Sequence, residues 1–169
     1  RGLGDVYKRQ PNCANDDSRY TPMEDGYLGE AIGDALLPVL KFQHRDVIDT
    51  FLPLETGFHN LAVVSSKQRF PRQARKTALG LLGAGQMMFL KVIIVVDEEH
   101  QVKDLEKLLD ALHNKVNIPD DLVILEGMVA DSLAHTSPWE NVHDKLIIDA
   151  TTPSAVSYTH LRAHETPVN

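Results

Sequence analysis

The chain has 169 residues, of which 43% are apolar, and a formal net charge of −7. That length suits one domain with a full hydrophobic core, and the acidic balance excludes a nucleic-acid backbone as partner, because neutralising phosphates takes clustered Lys and Arg. The single cysteine, Cys13, excludes a disulfide or cysteine-rich metal framework and fits a reducing, cytoplasmic compartment, while no apolar run approaches the ~20 residues of a transmembrane segment.

Residues 1–10 (RGLGDVYKRQ) and 154–169 (SAVSYTHLRAHETPVN) resemble translated sequencing-adapter read-through, the string VSYTHLRAHETP being the more specific. They are set aside as artefact. Residues 11–25 are polar and turn-rich and read as a linker or arm, which leaves 26–153 as one domain.

Tyr27–Phe42 carries Leu28, Ile32, Leu36, Leu37 and Leu40 at helical spacing, with Pro38 expected to kink or interrupt it. Val47–Leu54 and Phe58–Ser65 read as strands. Phe70-Pro71 is expected to open a helix, since proline is tolerated where the first amides lack partners. Glycines 80, 83 and 85 weaken that helix toward its end. Lys91–Val96 is a continuous β-branched run that predicts a strand buried on both faces. Val102–Lys115 places Leu105, Leu108, Leu109 and Leu112 on one helical face, and Leu122–Leu125 and Leu146–Ile148 read as short strands. Strands alternating with helices at these distances predict an α/β fold: a single three-layer domain with a mixed, largely parallel sheet.

The chemistry-bearing clusters are sparse. Gly80, Gly83 and Gly85 form a glycine-rich patch, but they neither follow a strand nor open a helix, as a phosphate cradle requires, so packing or capping is the preferred role. Asp97, Glu98 and Glu99 end the central strand, where open α/β sheets usually bind ligands. They suit either a divalent cation or a solvated turn. The basic run Lys67–Lys76 reads as the solvated start of a helix. Among the histidines, His44, His59, His135 and His143 show no metal-ligand spacing, and no nucleophile–base order stands out.

Several strings, taken in order, resemble the UbiD-type decarboxylases. They are Pro22-Met-Glu-Asp25 with Tyr27-Leu-Gly29, Phe51-Leu-Pro-Leu54 with Gly57-Phe-His-Asn60, and Arg75 through Gly83-Ala-Gly-Gln-Met87. Lys91-Val-Ile-Ile-Val-Val-Asp97, Asp131-Ser-Leu-Ala-His135 with Ser137-Pro138, and Asp149-Ala-Thr151 continue the match, which covers nearly all of 20–152. The PMED, FHN and GAGQM strings favour the branch associated with menaquinone biosynthesis. Two departures stand out: Thr152-Pro153 replaces a usual basic residue, and Trp139–Asp144 replaces a glycine-rich run.

The resemblance implies the C-terminal α/β domain of a non-oxidative decarboxylase of aromatic or α,β-unsaturated acids. It implies prenylated FMN as cofactor, with a divalent metal (manganese) and potassium in the full-length enzyme. The modified flavin is the electron sink, and the protein supplies orientation and proton transfer. The family's Glu-Arg-Glu acid–base group and its metal ligands lie upstream, so no catalytic residue and no metal ligand is assigned here. Glu24, Glu30 and Glu55 do not match that motif. One residue transfers: Lys91 matches a family lysine that reaches the flavin phosphate, a role suited to a compact ammonium. The resemblance further implies homo-oligomeric contacts through this domain, and a fragment inactive on its own. Two other readings stand beside it: an oligomerisation or docking module without chemistry, and an unrelated nucleotide-binding domain using Asp97–Glu99.

Overall fold

The computed structural model describes residues 24–56, 60–130, 139 and 141–152. The terminal strings set aside above, most of the 11–25 arm, and Phe58, His59, Asp131–His135 and Ser137-Pro138 lie outside the described residues.

Five strands form one sheet in the order β1-β2-β3-β5-β4, where β1 is Val47–Phe51, β2 Leu61–Ser66, β3 Val92–Asp97, β4 Leu122–Val129 and β5 Val142–Ala150. The sheet is mixed. The parallel pairings, β2–β3 and β3–β5, occupy its centre, and antiparallel β1 and β4 form the edges. The parallel share is smaller than the sequence suggested because β4 does not pair with β3: it lies beyond β5 and pairs with it antiparallel.

Helix α1 (Glu24–Gln43) and α2 (Gln73–Leu82) are followed by α3 (Leu105–Lys115) and the short α4 (Ile118–Asp121). On one sheet face Leu40, Ala74, Ala78, Leu81 and Leu82 pack over Ala62, Val64, Ile93, Val95 and Ile147. On the other, Leu108 and Ala111 of α3 pack over Val63, Ile94, Val96 and Ala150. Helices on both faces make the three expected layers and explain why β3, buried from Ile93 to Val96, lacks polar alternation.

Local differences from the sequence reading have physical causes. Helix α1 runs through Pro38, whose surface is exposed, so the carbonyl that loses its partner faces water. Helix α2 starts two residues after Pro71, because Arg72 adopts a left-handed φ of 61° and Gln73 Oε1 accepts from Arg69 N–H at 2.6 Å. On α3, Asp104 caps the first turn by accepting from Lys107 N–H at 3.1 Å. Of its predicted apolar face Leu108 is buried, whereas Leu105 and Leu109 are 54% and 66% exposed.

Strand β1 stops at Phe51, before the 3-10 helix Leu54–Thr56, and β4 and β5 are longer than Leu122–Leu125 and Leu146–Ile148. They extend through a bulge between Leu125 and Met128, at which Gly127 (φ 65°) donates its N–H to Asp144 Oδ1 at 3.0 Å. Among the described residues no helix is long and apolar enough to cross a membrane.

Candidate functional site

Lys91 is the residue before β3, at the amino end of the parallel strands, and is half-buried. Its N–H donates to the Asn60 carbonyl at 3.1 Å, and the N–H of Val92 donates to the same oxygen at 2.8 Å. Its own carbonyl accepts from Leu146 N–H on β5 at 2.9 Å. Just ahead of it, the 3-10 helix Gly85–Phe89 and Leu90 bring the chain from α2 to the strand.

Beneath this turn lies Lys145, the largest fully buried side chain among the described residues, at 1% exposure. Its ammonium donates to the carbonyls of Met88 at 2.7 Å and Leu90 at 2.6 Å. These carbonyls belong to a helix end, where backbone acceptors have no intrahelical partner. Burial pushes the Lys145 ammonium down to about 8.

His143 points to the same face of β5, two residues earlier. It is buried; its Nδ1 lies 3.0 Å from the Asp144 carbonyl, and among the described residues its Nε2 has no hydrogen-bond partner. With Nδ1–H donating to that carbonyl, Nε2 carries a lone pair and becomes a donor only on protonation. Burial first, then the Lys145 charge, lowers its pKa, and the Lys91 charge acts in the same direction. Both lysine charges therefore oppose protonation of the His143 imidazole. The sequence reading did not single out Lys145, and it named His143 only as lacking metal-ligand spacing, because it began the last strand at Leu146 and not at Val142. The available signal was the alternation of His143, Lys145, Ile147 and Asp149 with Val142, Leu146, Ile148 and Ala150.

The glycine patch serves packing and turning. Gly80 lies against the His44 imidazole, which a Cβ would overlap. Gly83 closes α2, and Gly85 takes a φ of 49°, the left-handed region that favours glycine.

At the opposite, carboxyl end of the sheet, Asp97 accepts from Lys115 Nζ at 2.6 Å, and from Thr152 N–H at 3.0 Å and Oγ1 at 2.7 Å. Burial raises its pKa, but these hydrogen bonds outweigh it and hold the carboxyl below its usual range. Glu98 pairs with Lys67 at 3.1 Å. Asp97 and Glu98 are thus engaged by the chain's own cations, and among the described residues no group of three or more His, Cys, Asp or Glu gathers as a metal site. Three basic residues of the run 67–76 are likewise paired, through Lys67–Glu98, Arg72–Asp120 and Lys76–Asp46.

Comparison with known proteins adds the following. The model of the 3-octaprenyl-4-hydroxybenzoate carboxy-lyase C-terminal domain (UbiD C-terminal domain) matches residues 26–150. An uncharacterized protein of Archaeoglobus fulgidus is 40% identical over 130 residues, 77% of this chain and 27% of that protein. One of Aquifex aeolicus is 43% identical over 131 residues, 78% of this chain and 27% of that protein. The chain therefore spans about a quarter of the length of these relatives. Among solved structures, the open form of Sedimentibacter hydroxybenzoicus vanillic acid decarboxylase aligns with a TM-score of 0.65 and 31% identity, over 70% of this chain and 25% of that one. The UbiD-class enzyme HmfF from Pelotomaculum thermopropionicum, in complex with FMN, shares the fold with a TM-score of 0.68 at 21% identity, over 83% of this chain and 30% of that one.

Proposed function

The chain belongs to the UbiD C-terminal domain family, and from that premise we propose that it is the C-terminal domain of a prenylated-FMN-dependent, non-oxidative decarboxylase of aromatic or α,β-unsaturated acids. The observation that carries this reading is Lys91, held by backbone hydrogen bonds at the start of β3, where its charge adds to that of Lys145 against the His143 imidazole. Lys91 binds the flavin phosphate as a point charge, and the ladder through Asn60 and Leu146 orients the residue that carries it. The cofactor supplies the electron sink for loss of carbon dioxide. Proton transfer and metal ligation, by manganese with potassium, belong to the remainder of the full-length enzyme, so residues 26–150 alone are inactive.

The strings PMED and GAGQM support a place in menaquinone synthesis, and the single cysteine supports a cytoplasmic enzyme. A role in homo-oligomer contacts is supported by the exposed Phe42, Ile118 and Ile124, at 83%, 68% and 67%. The test is carbon dioxide release from aromatic acids by the full-length, flavin-loaded protein. Full cofactor occupancy with no turnover across such acids would overturn the reading.

A further inference from the structure

A buried lysine is expensive unless something repays its desolvation. Lys145 sits 1% exposed with its ammonium on two backbone carbonyls, where a methionine or leucine would fill the strand position without burying a charge. What it holds is informative. The Leu90–Lys91 peptide is fixed at both ends: its carbonyl accepts from Lys145 Nζ and its N–H donates to Asn60 O. The following peptide, Lys91–Val92, is fixed likewise by Leu146 N–H and Asn60 O. With both flanking peptide planes hydrogen-bonded, φ and ψ of Lys91 are restrained, which fixes the direction of its Cα–Cβ bond. Of these contacts only the one from Lys145 comes from a side chain.

We propose that Lys145 is a positioning residue: by clamping the Met88 and Leu90 carbonyls it aims Lys91 at the phosphate of the flavin. This rests on the reading of Lys91 as a phosphate ligand. A Lys145 ammonium bound to two carbonyls does not itself need to touch the ligand; it removes the backbone freedom that Lys91 would otherwise lose on binding, which is how preorganisation raises affinity.

The test measures binding of FMN and of riboflavin, which lacks the phosphate, to the full-length protein and to its Lys91→Met, Lys145→Met and doubly substituted forms. Supporting hydrogen-bond partners of a ligating group carry about 10–100-fold in affinity, so Lys145→Met is expected to weaken FMN by at least tenfold and leave riboflavin unchanged. The double variant should be no weaker than Lys91→Met alone, because Lys145 acts through Lys91. Equal losses for FMN and riboflavin, multiplying losses in the double variant, or an unchanged FMN affinity for Lys145→Met overturn the proposal. An unchanged FMN affinity for Lys91→Met overturns instead the reading on which it rests. Should Lys145→Met fail to fold, Lys145→Leu, which likewise fills the strand position without a donor, takes its place with the same three criteria.

Discussion

The imidazole of His44 lies against Gly80 so closely that a Cβ at position 80 would overlap the ring. This contact ties the loop after α1 to the last turn of α2. In an open helix interior, Gly→Ala stabilises by about 1 kcal/mol. Here the ring must move first, so Gly80→Ala gains less than that, or destabilises. Removing the ring with His44→Ala restores the gain, and denaturant unfolding of the four-member cycle should show a coupling of roughly 1 kcal/mol. Additive effects would contradict the contact.

Two buried aspartates should respond to pH with opposite sign. Burial raises the Asp46 carboxyl, but hydrogen bonds from Thr77 and Lys76 outweigh it and leave it below its usual value. Its stabilisation is therefore present above the unfolded-state value near pH 4 and is lost as pH falls further. Asp149 is raised, by burial above all, despite accepting from Thr151 N–H at 3.1 Å and Oγ1 at 2.6 Å. Its contribution is full in acid and is lost as pH rises through its folded value. At pH 7, Asp46→Asn should cost about 2 kcal/mol through lost charge-assisted hydrogen bonds. Asp149→Asn, which keeps the acceptor for Thr151, should stabilise at pH 7 and lose that advantage in acid. Thermal melts at both pH values check the pair of signs.

The α/β class, the buried central strand and the placement of Lys91 were legible because burial on both faces of β3 writes itself as an unbroken β-branched run. The antiparallel β4–β5 edge was not, since β5 carries His143, Lys145 and Asp149 on its inward face. Lys145 can be buried there because the end of a 3-10 helix, 55–57 positions away, supplies its acceptors. No local pattern encodes that partnership. Asp97 likewise read as a free carboxylate because Lys115 and Thr152 reach it from 18 and 55 positions away.

Lys145 itself gives a stability signature. Its folded pKa, about 8, lies below the ordinary lysine value of 10.5, so the unfolded chain binds more protons between those values and stability rises with pH there. At ~1.4 kcal/mol per pKa unit the rise is on the order of 3 kcal/mol. The parent chain should gain stability from pH 8 to 10.5 relative to Lys145→Met; parallel profiles would contradict the burial of the charge.

The engagement of Asp97 with Lys115 and Thr152 bears on nucleotide binding at the carboxyl end of the sheet. Calorimetry of this chain with magnesium nucleotides should register no binding. Measurable heat that disappears with Asp97→Asn would favour the nucleotide-binding alternative.

The account stands most directly on Lys91. Flavin occupancy after purification of the full-length protein, compared with its Lys91→Glu form, tests it in one measurement, because reversing the charge sets a carboxylate against the phosphate. Sharply reduced occupancy, with the fold retained, is the predicted result. Unchanged occupancy would contradict it.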